Sequence, residues 1–248
     1  MVYLWTEDSG AGFHFWKLLN LQCFDGQICV ETKYSNEGIV AALTNLDSDN
    51  IPIDDYYIIA FDCVFDNVDI FNKFLRIHAI KSKHPDNIFL LDIICFEYLI
   101  LQFEQLQDWT GNHKPDLFNV RNHLLNNIHG HKISRNAIED MRTLNYLSTF
   151  KNTRSTEYII KAITRDLTST DAWNVDGEFL GECWWKNCCV AKTSHILCGN
   201  PPESAKEKLN SLFSSHSVEE IVKIINVICS RNSSYAINNE NSPKQINL

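Results

Sequence analysis

The chain is poor in the residues that build phosphate-binding loops, with only 9 glycines and 6 prolines among 248 residues. It contains no Gly-Lys-Ser/Thr phosphate loop and no Gly-x-Ser-x-Gly nucleophile elbow, which excludes the enzyme classes that depend on these motifs. Gly10-Ala11-Gly12 begins a dinucleotide-binding fingerprint, but Phe15 stands where the third glycine is required. A ring at that position prevents close packing of helix on strand, which argues against a dinucleotide site.

Long uncharged apolar runs are also missing. The longest apolar stretch, residues 88–103, is interrupted by Asp92, Glu97 and Gln102, and no basic segment precedes an apolar run at the N-terminus. Because charged side chains are costly in a bilayer, we expect no membrane span and a cytoplasmic protein. The 9 cysteines are odd in number and several lie inside apolar runs, which is typical of buried thiols and not of a disulfide framework.

Positive charge is scarce overall, since the net charge is −9, but it is concentrated in one segment. Residues 1–109 carry −11, residues 110–165 carry +5 and residues 166–248 carry −3. The basic segment is able to contact phosphates, although a solvated helical face of mixed charge explains it equally well. The predicted nucleic-acid contacts are Arg121, Lys132, Arg135, Lys151 and Arg154.

The first hundred residues alternate short β-rich runs with helical stretches, which is the pattern of an α/β protein with a parallel sheet and crossover helices. The predicted strands are Val2–Thr6, Gln27–Thr32, Tyr56–Asp62 and Asn87–Asp92, and a helix is predicted after each of them. After Gly111 the apolar spacing becomes helical. We therefore predict an α/β domain over 1–109, an all-helical domain over 110–230 with a Trp/Cys-rich segment at 168–200, and a mobile tail over 231–248.

Carboxylates follow three of the predicted strands: Glu7 and Asp8, then Asp62, then Asp92. In an open α/β sheet, ligands bind beyond the carboxyl ends of the strands, so these acids can meet although they are far apart in sequence. Magnesium takes carboxylate oxygens, water and phosphate oxygens, and Asp62 with Glu7 could hold such an ion. The alternative is that the acids cap helices, as Asp66 or Asn67 would cap the helix that follows them.

Lys33 follows the second predicted strand at the same sheet edge. Its ammonium group could meet a phosphate or a developing negative charge, or it could belong to a solvent-exposed loop.

These acids resemble the metal site of the Toprim fold, which occurs in topoisomerases, primases and the overcoming-lysogenization-defect nucleases of phage defence. The resemblance covers about residues 1–109. Glu7 matches the glutamate after the family's first strand, and Asp62 matches the first residue of its Asp-x-Asp pair. Asp92-Ile93-Ile94-Cys95-Phe96-Glu97-Tyr98-Leu99 is similar to a later Glu-x-Glu-Asn-Tyr-Leu segment, in which Glu97 and Tyr98 fit best.

The resemblance implies a Rossmann-like fold and a nuclease that uses Mg²⁺ or Mn²⁺, acts on DNA or RNA and works beside an ATPase partner, as a toxic effector of phage defence. It implies Glu7, Asp62 and Asp66 as catalytic metal ligands, with Asp92 and Glu97 as supporting acids. Asp8 is a further supporting acid beside Glu7, and Lys33 is the candidate catalytic lysine at the same sheet edge. Asp66 enters because Val64 occupies the place of the second aspartate. If Asp66 does not substitute, the alternative is an inactive protein-interaction or nucleotide-sensing module.

A second group of metal-ligating residues lies in the Trp/Cys-rich segment. Zinc takes four thiolate or imidazole ligands, but paired Cys-x-x-Cys knuckles are absent, so a core in which Cys and Trp pack as apolar groups is the alternative. The candidate zinc ligands are Cys183, Cys188, Cys189, His195 and Cys198.

Overall fold

The computed structural model of the chain describes residues 1–48, 51–64, 67–111, 115–130, 156–168 and 210–240. The strands in these ranges are β1 (Val2–Thr6), β2 (Cys29–Thr32), β3 (Tyr56–Ala60) and β4 (Ile88–Leu90). The helices are α1 (Ala11–Phe24), α2 (Asn36–Ser48), α3 (Val68–Lys83), α4 (Phe96–Leu101), α5 (Leu106–Thr110), α6 (Pro115–Gly130), α7 (Thr156–Thr168) and α8 (His216–Glu240). Asn67 caps α3, because its side-chain oxygen accepts a hydrogen bond from the Asp69 N–H at 3.0 Å.

The four strands form one parallel sheet in the order β2-β1-β3-β4. This confirms the predicted parallel sheet with crossover helices, and the described residues that follow Gly111 are helical, as predicted. All five residues of β3 are buried, and Leu4 of β1 pairs with Ile58 of β3 at the centre of the core. A strand that is buried on both faces requires a continuous run of apolar residues, and the segment Tyr56–Ala60 is such a run.

The strand order places a topological switch point between β1 and β3. The chain leaves β1 for β2 on one side and returns to β3 and β4 on the other side. At such a point the loops after the two central strands separate and leave a crevice, which is where open α/β sheets bind ligands. Glu7 follows β1 and Asp62 follows β3, so both acids border this crevice.

The single helix predicted between Phe96 and Trp109 is divided into α4 and α5, and Arg121 of α6 stabilises the break. Its guanidinium group donates hydrogen bonds to the carbonyls of Leu101 at 2.7 Å and Phe103 at 2.8 Å. The prediction that Arg121 contacts nucleic acid is therefore wrong, because the residue is buried and its donors bind the backbone carbonyls of Leu101 and Phe103 and the side chain of Asn122.

The C-terminal helices pack directly on the α/β unit. Helix α7 contacts α4, α5 and α6, and α8 contacts β1 and β3. Helix α8 runs to Glu240, past Arg231, where the predicted tail begins. Among the residues that the structure describes, no helix is both long enough and apolar enough to cross a membrane.

A close approach at Gly38 of α2 leads to our first prediction: Gly38→Ala should destabilise the fold by about 2 kcal/mol. A Cβ atom at this position would lie 1.9 Å from the backbone carbonyl oxygen of Lys33, which cannot move aside as a side chain can. Helix propensity alone would predict the opposite result, a stabilisation of the fold by about 1 kcal/mol, because alanine favours a helix more than glycine does.

Urea unfolding of the variant and the wild type measures whether Gly38→Ala lowers or raises the free energy of unfolding. Thr44→Ala, a change on the same helix that adds no atom, serves as the control. A midpoint for Gly38→Ala at or above that of the wild type would contradict the prediction.

Candidate metal centre

Three buried side chains that can ligate a metal converge at the carboxyl edge of the sheet. One ligand atom from each of Asp62, Cys95 and Glu97 lies within 4.8 Å of the other two. Asp62 lies two residues beyond the end of β3, Cys95 immediately precedes α4, and Glu97 lies in the first turn of α4. The Cys63 N–H donates to the Ile94 carbonyl at 2.8 Å, which holds the two segments side by side.

Glu7 joins this group across the switch point. The protonated carboxyl group of Asp62 donates a hydrogen bond to the carboxylate of Glu7. Burial, together with the negative charges of Glu7, Asp8 and Glu97, raises the pKa of Asp62 well above its ordinary value. Burial also raises the pKa of Glu7, against the opposing effect of the hydrogen bond with Asp62. The strand-end acids thus share a proton that a cation can replace.

Lys161 of α7 supplies positive charge to the acids. Burial raises the pKa of Glu97 to about 7, although the positive charge of Lys161 opposes this increase. Burial disfavours the charged form of Lys161, but attraction to Glu97 and Glu157 outweighs it and raises the lysine pKa. The Lys161 ammonium donates to Glu157 at 2.6 Å, and the Thr164 hydroxyl donates to the Glu97 carbonyl at 3.4 Å. Helix α7 is thereby fixed against α4, with Lys161 facing the acids.

Asp8 lies at the beginning of α1, where Gly12 makes room for it. Its carboxylate accepts a hydrogen bond from the Thr6 hydroxyl at 2.7 Å and another from the Trp16 side chain. A Cβ atom on Gly12 would lie 2.2 Å from the Asp8 carboxyl carbon. Gly12 therefore admits an acid to the helix N-terminus, where the helix dipole favours negative charge.

Two carboxylate oxygens in the site have no hydrogen-bond partner among the residues that the structure describes: Oδ2 of Asp62 and Oε2 of Glu97. Asp62 is 3% exposed and Glu97 is 5% exposed, so these two oxygens are shielded from hydrogen bonding with bulk water. Buried polar atoms without a partner are rare and are costly to maintain. The group formed by Asp62, Cys95 and Glu97 could hold a metal ion, which would provide the missing interactions.

The structure separates two predicted site residues from this group. The Lys33 ammonium donates to Glu31 at 2.7 Å and lies 4.0 Å from the centre of the Trp5 ring, so we do not assign Lys33 to the site. Asp92 is exposed and borders a separate cavity of about 200 Å³ together with Cys63.

Several predicted residues lie outside the part of the chain that the structure describes. Asp66 is one of them. The others are the candidate nucleic-acid contacts Lys132, Arg135, Lys151 and Arg154 and the candidate zinc ligands Cys183, Cys188, Cys189, His195 and Cys198.

Sequence reasoning missed Cys95 and Lys161. Cys95 lies in an apolar run and was interpreted as a buried hydrophobe, although its position two residues before Glu97 was a usable signal. Lys161 gives no comparable signal, because it is 64 positions from Glu97 in sequence and only the packing of α7 on α4 brings it close.

No protein-family model, curated protein or solved structure matches this chain. The functional argument therefore depends on the chemistry of the site itself.

Proposed function

We propose that this protein is a metal-dependent nuclease that binds a divalent cation between Glu7 and Asp62 and hydrolyses phosphodiester bonds in nucleic acid. The observation that carries the proposal is the convergence of Glu7, Asp62 and Glu97 at the switch point, where two carboxylate oxygens lack partners in the described ranges of the chain. Carboxylates at this edge of a parallel sheet are suited to Mg²⁺ or Mn²⁺, the ions that the Toprim resemblance implies.

The residues of the site have different roles in the proposed reaction. Glu7, Asp62 and Glu97 would hold the cation, which when bound polarises the phosphorus centre and helps to activate water. Asp8 is held by Thr6 and Trp16 and adds negative charge beside the pair formed by Glu7 and Asp62. Lys161 compensates the charge of the acids from the opposite helix.

Binding of the cation would displace a proton from Glu97. Without an ion the pKa of Glu97 is about 7, so at neutral pH part of the protein carries a protonated Glu97. A carboxyl group must lose its proton to ligate a metal, so cation binding would release a proton from this residue.

The nucleic-acid substrate, a toxic role in phage defence and an ATPase partner remain proposals from the resemblance. Arg121 does not contribute to a basic surface. Guidance of the substrate by charge therefore depends on Lys132, Arg135, Lys151 and Arg154.

One observation favours a second candidate, a protein-interaction module without catalysis. The ammonium group of Lys161 can offset part of the acidic charge without any added ion. In that case the acids and Lys161 would form an internal ion-pair network.

The proposal predicts that the purified protein cleaves plasmid DNA or tRNA in the presence of Mg²⁺ or Mn²⁺ and that chelation with EDTA stops cleavage. Glu7→Gln should reduce the rate by about 100-fold, because it removes a charged ligand while keeping the side-chain shape. Glu219→Gln makes the same chemical change at an exposed position of α8 and should cleave like the wild type.

Two outcomes would overturn the proposal. The first is that neither nucleic acid is cut with Mg²⁺, Mn²⁺ or Zn²⁺, and calorimetric detection of nucleotide binding without turnover would then indicate a sensing module. The second is cleavage that persists unchanged in Glu7→Gln.

A further inference from the structure

The ligand-forming group of this site contains a sulfur atom as well as oxygen atoms, and this bears on which metal it selects. Cys95 is fully buried, and its thiol donates a hydrogen bond to the Glu97 carboxylate. Magnesium is coordinated by oxygen ligands, whereas thiolates select softer ions of the zinc class. A cysteine in this position therefore changes the expected metal.

The spacing of the three donors is close to that of one coordination sphere. In a tetrahedral zinc site with bond lengths of about 2.0 to 2.3 Å, two donors lie about 3.3 to 3.8 Å apart. The ligand atoms of Asp62, Cys95 and Glu97 all lie within 4.8 Å of one another, so donors at that limit would have to approach by about 1 Å to share one ion. Three protein ligands with one position left for water is also the arrangement of catalytic zinc sites.

A second observation concerns the hydrogen bonding of the two carboxyl groups in this site. Within the described part of the chain, Oδ2 of Asp62 and Oε2 of Glu97 have no hydrogen-bond partner, although both side chains are more than nine-tenths buried. These two oxygens belong to the same three residues that approach one another within 4.8 Å. The oxygens and the Cys95 sulfur therefore provide mixed ligands for one cation.

We propose that Cys95 is a metal ligand and that the site formed by Asp62, Cys95 and Glu97 binds a thiophilic divalent cation of the Zn²⁺ class in preference to Mg²⁺. The inference deepens the proposed function, on which its catalytic meaning rests, because it concerns the ion at the same site. On binding, the thiol forms a sulfur–metal bond and its proton passes to the solvent. No oxidation or reduction takes place.

Titration of the full-length protein with Cd²⁺ alone and with Co²⁺ alone tests this inference directly. Both ions should produce a sulfur-to-metal charge-transfer absorption, and Cys95→Ser should abolish the part that arises from this site. Cadmium affinity should fall by about 100-fold or more, since loss of an outer-shell partner alone costs 10- to 100-fold. Mn²⁺ affinity should change little, because a hydroxyl group replaces a thiol that a hard ion does not require.

Cys63→Ser is the matched control, because Cys63 is also buried and lies next to Asp62 but is outside the three-residue group. This variant should keep both the absorption and the cadmium affinity. If Cys95→Ser fails to fold, Asp62→Asn should weaken the same absorption in its place. Unchanged cadmium binding and absorption in Cys95→Ser, or no such absorption in the wild type, would overturn the inference.

The two proposals can fail separately. Nucleic-acid cleavage that requires Mg²⁺ and Glu7, without any sulfur–metal absorption, would refute only the role of Cys95. A sulfur–metal absorption that depends on Cys95, in a protein that cuts no nucleic acid, would support the metal site and refute the nuclease.

Discussion

Asp62→Asn should reduce metal-dependent cleavage by about 100-fold and, at the same time, raise the melting temperature of the metal-free protein. The two effects have opposite signs because the same buried carboxyl group attracts a cation and weakens the fold. Asp62 is 3% exposed and is surrounded by Glu7, Asp8 and Glu97, which together with burial raise its pKa. Replacing it with an amide removes the group that is hardest to ionise inside the core.

The loss of activity should be large. A bound metal provides several kcal/mol of transition-state stabilisation, and a loss of about 3 kcal/mol corresponds to a rate decrease of about 100-fold. The fold should tolerate the change, because the new amide N–H₂ can donate to Glu7 as the protonated carboxyl group does. Residues that serve function at the expense of stability are often found in active sites.

The experiment compares cleavage rate and melting temperature, both with EDTA and with added Mn²⁺. Asp92→Asn is a matched control, because it makes the same change at an exposed position just beyond β4. It should leave both quantities close to those of the wild type. A metal-free Asp62→Asn protein that melts below the wild type would contradict the account of Asp62 as a strained acid, and undiminished cleavage would contradict its role as a ligand.

The sequence predicts the sheet well because its signals are local. A buried parallel strand appears as a continuous apolar run, and β1 and β3 begin at the predicted residues, Val2 and Tyr56. Strand β4 is shorter than predicted and ends at Leu90, so Asp92 lies beyond the strand and outside the buried group. The division between α4 and α5 has no local signal, because the partner that satisfies the carbonyls at the break, Arg121, lies 20 residues from Leu101 in sequence.

The site can likewise be predicted only where its signals are local in the sequence. The proximity of Glu7 and Asp62 could be inferred from strand ends, since carboxyl ends of parallel strands share one edge. The position of Glu97 among the metal ligands could not be inferred in this way, because the burial of Glu97 depends on the packing of α7 against α4. Lys161 enters only through that packing. Cys95 was overlooked because a cysteine in an apolar run looks the same whether it fills space or binds a metal.

The free energy of unfolding of the metal-free protein should fall as the pH rises from about 5 to about 8. Burial raises the pKa of Glu97 from 4.5 to about 7, so between these values the folded protein binds more protons than the unfolded chain. The contribution of Glu97 to the free energy of unfolding is therefore fully present below its unfolded pKa of 4.5, and it is lost as the pH rises through its folded pKa of about 7. Glu97 alone accounts for about 3 kcal/mol, and the raised pKa values of Glu7, Asp8 and Asp62 act in the same direction.

Urea unfolding at several pH values measures this slope, and three comparisons identify its source. Glu97→Gln should flatten the curve, whereas Glu104→Gln, at an exposed position, should leave it unchanged. Added divalent cation should also flatten the curve, because a bound ion replaces the proton as the partner of the buried carboxylates. Stability that increases over this pH range, or a slope that is equally steep in Glu97→Gln, would show that Glu97 is ionised in the folded protein without a cation. The free carboxylates would then be satisfied by Lys161 alone, which is the arrangement expected of the non-catalytic module.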